Sequence, residues 1–418
     1  MRAWLMHIGE QMPVDGPARK FRYGYVADAL RNAGHHVTHW SPTFCHFRKE
    51  QRYQQDCQVE VDSNYCIQFV HAEGYRRNTS LARMRMYSVL GRRFHELAGD
   101  LPRPDLIVTA IPSLEWADAA VSFGRCHDIP VIVDVRDLWP DLYLNALPTA
   151  LKPLGRLLLG SHLRLAKRAC RNADALIAVS QSYLDWGLHH ANRPSTARDQ
   201  VVPLGYELAT LPPTDDRGRL ATLKKHGLAP DHITCLYAGQ FETSYDVETI
   251  VSAARSLELS GNHHLQFALC GDGSKMAQIR KIAEGLKSVH LFGWVPPKTL
   301  QELASVSHIG LATYAVGAKQ SLPNKAFEYM ANRLCILSSL KGELPELLTE
   351  NECGSSYQAG NAESLATAIR AFASNPEQLE CYRQNAFHIW QNSYKSSAIY
   401  PRFVQYLNQF VAPRSQAA

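Results

Sequence analysis

Short apolar runs alternate with amphipathic stretches along nearly the whole chain, and this alternation constrains the fold more than any other feature. The runs at 4–8, 36–40, 65–70, 105–110, 130–135, 173–180 and 201–203 read as buried strands, because a strand covered on both faces shows no polar alternation. Between them, stretches of 3.6-residue period predict helices, among them 21–33, closed by Gly34, and 80–98. Strand–helix–strand repetition of this kind builds parallel sheets. Residues 41–80 break the rhythm with many aromatic and charged side chains, and 204–230, rich in proline, glycine and charge, predict an interdomain connection. A second series follows at 233–238, 264–270, 289–292, 309–313 and 334–338, and the chain ends in helical material from about 362, with a last segment at 398–411. We therefore expect two doubly wound α/β domains, 1–205 and 206–397, with a ligand cleft where their strand C-termini meet.

Composition narrows the class. At 418 residues, 45% hydrophobic and 20% charged, the chain is long enough for two or three folded domains and too apolar for disorder. A net charge of +5 is too weak to imply nucleic acid. Ten scattered cysteines without a C-x-x-C pair, and no secretory leader at Met1–Leu5, suggest reduced thiols in the cytoplasm. No apolar run approaches the ~20 residues that span a bilayer. No His/Cys cluster has zinc spacing, and no metal or cofactor is expected.

The stretch 321–331, Ser-Leu-Pro-Asn-Lys-Ala-Phe-Glu-Tyr-Met-Ala, is the densest in polar chemistry. Pro323 suits the first turn of a helix, and Phe327, Met330 and Ala331 give that helix a core-facing stripe. Asn324, Lys325 and Glu328 share one flank. A helix start with free N–H groups suits a phosphate, and a carboxylate one turn on suits vicinal hydroxyls, which reads as a sugar-nucleotide clamp. An ordinary core helix with a Lys–Glu pair fits the same residues.

Ordered motifs decide between them. Tyr237-Ala238-Gly239, Cys270-Gly271-Asp272-Gly273, Leu291-Phe292-Gly293-Trp294-Val295, 323–331 and Leu344-Pro345-Glu346-Leu347, in this order, resemble the retaining glycosyltransferases of family 4. Ala33-Gly34-His35-His36-Val37 is similar to that family's G-H-x-V, and 42–49 and 134–141 (Asp-Val-Arg-Asp-Leu-Trp-Pro-Asp) resemble a subgroup that builds bacterial surface polysaccharides. The resemblance implies the GT-B architecture: two Rossmann-like domains facing a cleft, the donor held mainly by the C-terminal one, no metal, and a final helix, 398–418, packing back on the first domain.

By this resemblance Glu328 binds the donor's ribose, and Ser321, Leu322, Pro323, Asn324 and Lys325 face its diphosphate. Gly293, Trp294 and Val295 pass beside the nucleobase, and Gly271 and Gly273, with Gly239, let backbone approach the ligand. The family often has a glutamate at the position of Gln320, and Arg and Lys at those of Gln240 and Tyr245; many members have His-Asp where this chain has Arg136-Asp137. Two missing cations weaken the grip on a diphosphate, since charge-assisted hydrogen bonds are about twice as strong as neutral ones. Lys325, Arg136 or first-loop arginines are the candidates to compensate.

A retaining transferase of this type needs no protein nucleophile, only charge stabilisation at the leaving diphosphate and a positioned acceptor. Asp137 is assigned to sugar or acceptor hydroxyls and Arg136 to phosphate or developing charge; a purely structural Arg–Asp pair is the alternative. Gly16, Arg19 and Arg22 of the first loop suit donor phosphate or an anionic acceptor, and equally a solvated helix entry. Two basic segments stand out: Arg76, Arg77, Arg83, Arg85, Arg92 and Arg93, and the acid-free stretch from Leu151 to Asn172 with its interleaved leucines. The second fits an anionic membrane surface, or a helix packed on the sheet with its cations in solvent.

The expected function is a retaining glycosyltransferase, cytoplasmic or peripheral on the membrane's inner face. It moves a sugar from a nucleotide-sugar, a UDP-sugar by preference, to a lipid-linked or saccharide acceptor of a surface polysaccharide. A GT-B sugar-nucleotide epimerase and a degenerate, non-catalytic transferase acting as a scaffold are the rivals.

Overall fold

The computed structural model describes residues 1–16, 20–78, 80–208 and 216–411. The chain forms two compact units: Met1–Pro203 together with the chain from Ile399 onward, and Leu204–Ala398.

The first unit is built on an eight-stranded sheet in the order Gln200–Val201, Ala175–Ala178, Val131–Val135, Leu106–Ile111, Arg2–Met6, His36–Pro42, Tyr65–Val70, Cys57–Asp62. All neighbours are parallel except the last pair. Ala3, Trp4, Leu5 and Met6 lie at the sheet's centre and are fully buried, as an uninterrupted apolar run requires. On one face Trp4 packs against Trp40, Phe94 and Phe123, with ring centroids 5.1–6.0 Å away. On the other, Leu5 joins Tyr23, Val26 and Leu30 and the chain's end, Ile399, Tyr400, Phe403, Val404 and Leu407. The last helix, Ser396–Asn408, thus supplies core to a sheet formed by the beginning of the chain.

A buried ion pair fastens this unit internally. Arg22, on the helix Arg22–Asn32, donates Nε to Asp134 at 2.8 Å and Nη1 to the carbonyls of Val202 and Pro203 at 2.7 and 3.1 Å. One guanidinium thereby ties the first helix to a central strand and to the exit of the last one.

The irregular stretch 41–80 contains an edge strand, Cys57–Asp62, antiparallel to Tyr65–Val70. Its residues alternate between half-buried and exposed, so it carries no continuous apolar run to announce it. The stretch from Leu151 to Asn172 is two helices, Lys152–Leu158 and Gly160–Asn172, rather than one amphipathic segment.

The second unit has a six-stranded, wholly parallel sheet in the order Val289–Gly293, Leu265–Cys270, Ile233–Ala238, Ile309–Ala312, Cys335–Ser338, Gly354–Ser356. A helix, Asp216–Lys225, lies within the stretch read as a connection. Helices cover both faces, and Leu236, Ala268, Phe267 and Leu311 are buried between them. All ten cysteines are free.

Phe403, 3% exposed, belongs to the first unit's core although it lies far beyond Pro203 in the chain. Phe403→Ala is expected to destabilise that unit by about 3–5 kcal/mol, read as a lower urea midpoint for its transition.

Candidate functional site

In the second unit the polar chemistry gathers where parallel strands end. The helix Asn324–Ala331 starts after Pro323, whose φ of −77° and ψ of 151° place it just before the helix as its N-cap. The N-cap Pro323 supplies no side-chain hydrogen bond to the helix's first N–H groups, which carry the positive end of its dipole. Phe327, Met330 and Ala331 are buried, as the periodicity implies, and Asn324 is exposed.

Lys325 is the unusual member. It is buried, and its Nζ has no hydrogen-bond partner. Three aromatic faces surround it: Tyr237 at 3.9 Å, Tyr245 at 4.7 Å and Tyr314 at 5.7 Å from Nζ to ring centroid. Ring quadrupoles replace part of the lost hydration, but less than a carboxylate would. Burial pulls its pKa down to about 7, against the opposing pull of Glu328 one turn on. The Nζ lies 2.8 Å from where a Cβ on Gly239 would sit, so glycine there gives the ammonium its room. Tyr329 braces the arrangement: its hydroxyl accepts from Ala238 N at 3.0 Å and donates to Leu311 O at 3.2 Å.

The glycine loops interlock. Gly239 N donates to Cys270 O at 3.0 Å, Phe241 N to Asp272 O at 2.9 Å and Gly271 N to Gly293 O at 2.7 Å. A Cβ on Gly271 would stand 1.8 Å from Gly239 O, and one on Gly273 2.6 Å from Phe241 O. These glycines are required by loop packing against loop, and Gly271 N is already committed to Gly293; close approach to a ligand is not what demands them. Ser321 is likewise engaged, donating Oγ to Glu343 at 2.7 Å, and Leu322 packs into the core. Gln240 contributes its carbonyl to Tyr237 Oη at 2.9 Å. Trp294 is 71% exposed, beside the partly buried Val295. Gln320 Oε1 is buried without a partner, near in sequence to the helix start.

The first unit handles charge differently. Glu10 accepts from the backbone N–H groups of Tyr23 and Gly24, both at 3.0 Å, and from Arg136 Nη1 at 2.9 Å. The start of the helix Arg22–Asn32 is therefore occupied by the protein's own carboxylate. This corrects the first-loop expectation: Arg22 is spent on Asp134 inside the fold, and Gly16 sits in open space at φ +88°. Arg19 lies outside the described residues. Arg136 follows the strand Val131–Val135, pairs with Glu10 rather than Asp137, and lies 5.5 Å over Tyr23. Asp137 accepts from Leu138 N at 2.8 Å, and burial raises its pKa, partly offset by the Arg83 charge. Neither the structural Arg136–Asp137 pair nor a free Arg136 is present.

The helix Lys152–Leu158 rests on Leu144 and Leu147 through Gly155, where a Cβ would come within 2.5 Å of Leu147. This contact turns Leu154, Leu157 and Leu158 outward, 54%, 78% and 72% exposed, beside Lys152 and Arg156. The following helix behaves as packed core, burying Ala166, Ala169 and Cys170 while Arg168 pairs with Asp118.

Sequence reasoning missed the tyrosine box and Glu10. Tyr237 and Tyr314 close strands and look like ordinary core; only their convergence on Lys325, nearly 90 residues from Tyr237, reveals them. Among the described residues no cluster able to hold a metal is present, and no helix is long and apolar enough to cross a membrane.

Comparison with known proteins matches both halves. The family model of the glycosyl transferase 4-like domain covers residues 22–205, and that of glycosyl transferases group 1 covers 219–388. The curated proteins give no match. Among solved structures, sucrose-phosphate synthase from Thermosynechococcus elongatus superposes with a TM-score of 0.71 at 17% identity, over 98% of each chain. Anabaena HepE in complex with UDP gives 0.67 at 12% identity, over 98% of this chain and 100% of that one. WaaG, a glycosyltransferase involved in lipopolysaccharide biosynthesis, gives 0.65 at 13% identity, over 97% and 99%. With a four-like model on the first unit, a group 1 model on the second and GT-B structures over its full length, the chain belongs to the family-4-like glycosyltransferases of GT-B fold.

Proposed function

We propose that this glycosyltransferase is a retaining enzyme that takes its sugar from a UDP-sugar and delivers it to a lipid-linked saccharide of a bacterial surface polysaccharide. The observation that carries the donor half is the uncapped start of Asn324–Ala331 beside the unpartnered ammonium of Lys325. A diphosphate supplies what both lack, anionic oxygens for the helix N–H groups and for Nζ. Glu328, one turn further, takes the ribose hydroxyls, and Gly293–Val295 flank the base. Lys325 stands in for cations at Gln240 and Tyr245: its Nζ lies over the Tyr245 ring and against Gly239. Structures similar in fold have been solved with UDP and with UDP-glucose, which favours uridine.

In the reaction the bond from the anomeric carbon to the diphosphate breaks, and the acceptor oxygen bonds to that carbon on the same face. The acceptor's proton passes to the departing diphosphate, whose charge Lys325 and the helix start hold. Asp137 of the first unit is assigned to the acceptor hydroxyl, and Arg136, one residue before it, is held by Glu10. The outward leucines and cations of Lys152–Leu158 suit an anionic lipid surface, where a lipid-linked acceptor resides.

UDP is expected to raise the melting temperature, whereas stabilisation by no nucleotide would favour the scaffold reading. Lys325→Gln should weaken UDP binding about tenfold or more, as loss of a charged hydrogen-bond donor does. Above pH 7 the free amine is increasingly neutral and must gain a proton when the diphosphate arrives, so wild-type UDP affinity should fall from pH 7.5 to 9. The three tyrosines are pushed up by burial and stay neutral across that window, so calorimetry on Lys325→Gln should show a flat profile. A slope retained in the variant would remove Lys325 from the donor site. For the membrane face, L157D/L158D should abolish co-sedimentation with phosphatidylglycerol vesicles while leaving UDP binding intact; wild-type protein that stays in the supernatant would refute peripheral docking.

A further inference from the structure

Two adjoining cavities in the first unit remain unused by the reading above. The first, about 580 Å³, is walled by Lys49, Tyr75, Arg76 and Arg77, with Gln51 and Ser80. The second, about 630 Å³, shares Gly74 and Ala82 with it and is walled by Leu81, Met86 and Val89, with Glu73 and Arg85 beside them. Gly74 makes the shared wall thin: a Cβ there would stand 2.1 Å from the Phe44 ring.

The first cavity gathers positive charge without neutralising it. Lys49 Nζ and Arg83 Cζ both lie over the Tyr75 ring, at 4.5 and 5.5 Å from its centroid. Each is held by Asn78 through neutral atoms, Lys49 donating to Oδ1 at 2.6 Å and Arg83 to the backbone carbonyl at 3.0 Å. Among the described residues neither forms an ion pair with a carboxylate, and the Lys49 ammonium is pushed below its ordinary pKa by burial and then by the Arg83 charge. Glu50, the acid on this cavity's wall, is taken by Arg48 Nε at 2.7 Å. Arg76 and Arg77 are exposed at the rim. Like charges assembled around an aromatic ring repel one another, and an anion with several oxygens is the ligand that relieves this.

The second cavity asks for something different. Leu81 is 82% exposed beside Ala82 and Val89, over the buried Met86, and together they make an apolar wall in a cavity that His71, Glu73 and Arg85 also line. A ligand that satisfies both cavities has a phosphate head and a hydrocarbon chain within a few ångströms of it.

We propose that these two cavities bind an isoprenoid-type phosphate or diphosphate ester, the head on Lys49, Arg76 and Arg77 and the first chain units over Leu81, Met86 and Val89. The proposal deepens the lipid-linked acceptor reading and rests on it. Arg83 connects the two, because its guanidinium faces Tyr75 here and acts through space on Asp137, the residue assigned to the acceptor hydroxyl. A sugar joined to the phosphate head would then extend from the cationic cavity.

Farnesyl diphosphate, titrated calorimetrically into the full chain saturated with UDP, tests this, since UDP keeps the diphosphate probe out of the donor site. Binding is expected, with affinity reduced about tenfold or more in Arg76→Gln/Arg77→Gln and again in Leu81→Asp. All three residues are exposed, and unchanged UDP affinity will show that both variants are folded. Farnesyl diphosphate affinity unchanged in both variants would overturn the site. Pyrophosphate binding as tightly as farnesyl diphosphate would remove the chain subsite, and glucose 6-phosphate binding more tightly than either would reassign the cavity to a soluble sugar phosphate; both refute the proposal. If wild-type protein fails to bind UDP but binds farnesyl diphosphate through Arg76 and Arg77, the donor reading falls and this site stands.

Discussion

A buried ammonium without a hydrogen-bond partner is the constraint around which the second unit's site is arranged. Removing Lys325 from water is expensive, and three tyrosine rings recover only part of that loss. Such a group persists when its surroundings are fixed by other interactions, and here they are. The strand Ile233–Ala238 pairs in parallel on both sides, so the loops after Ala238, Cys270 and Gly293 emerge at one edge. They lock together through backbone bonds that leave no space for a Cβ at Gly271 or Gly273. Tyr329 bonds to two strands and lies on the same short helix as Lys325, which fixes the helix's rotation and with it the direction of the amine. A pKa near 7 is the expression of that enforced position.

How much of this could be read from the sequence follows from the range over which each cause acts. Strands covered on both faces, such as 2–6 and 233–238, announce themselves because burial on two sides demands apolar residues throughout. Cys57–Asp62 does not, since an edge strand is held by its neighbour's backbone and needs little of its own composition. The helix start at Asn324 was legible from Pro323 and the Phe327–Met330–Ala331 stripe, which are local. The tyrosine box was not: Tyr245 was singled out only as a departure from a family cation, and Tyr237 and Tyr314 look like ordinary core at or just past strand ends until the sheet brings them to Lys325. Arg22 shows the opposite error: a cation at a helix entry looks like an anion site, and only the folded chain reveals Asp134 112 residues away.

The two units treat equivalent helix starts in opposite ways. In the first, Glu10 lies at the N-terminus of Arg22–Asn32 and accepts from the N–H groups of Tyr23 and Gly24, so the dipole meets a carboxylate within the protein. In the second, the start of Asn324–Ala331 has no side-chain cap and carries an unpartnered amine beside it. A helix start that is neutralised internally gains nothing from a phosphate, whereas one left open gains both hydrogen bonds and charge. That difference supports the proposal that the anionic leaving group is held by the second unit.

The same reasoning applied to the first unit separates its two basic regions. On Gly160–Asn172 the cations stand on a helix whose apolar side is already core, and Arg168 has its carboxylate in Asp118. Around Tyr75 the cations share a ring and an asparagine instead. A lysine and an arginine on one aromatic face each gain from the ring, but each loses hydration there and repels its neighbour. An anion arriving from outside would relieve that crowding, and the apolar wall next door suits a hydrocarbon chain attached to it, as we propose.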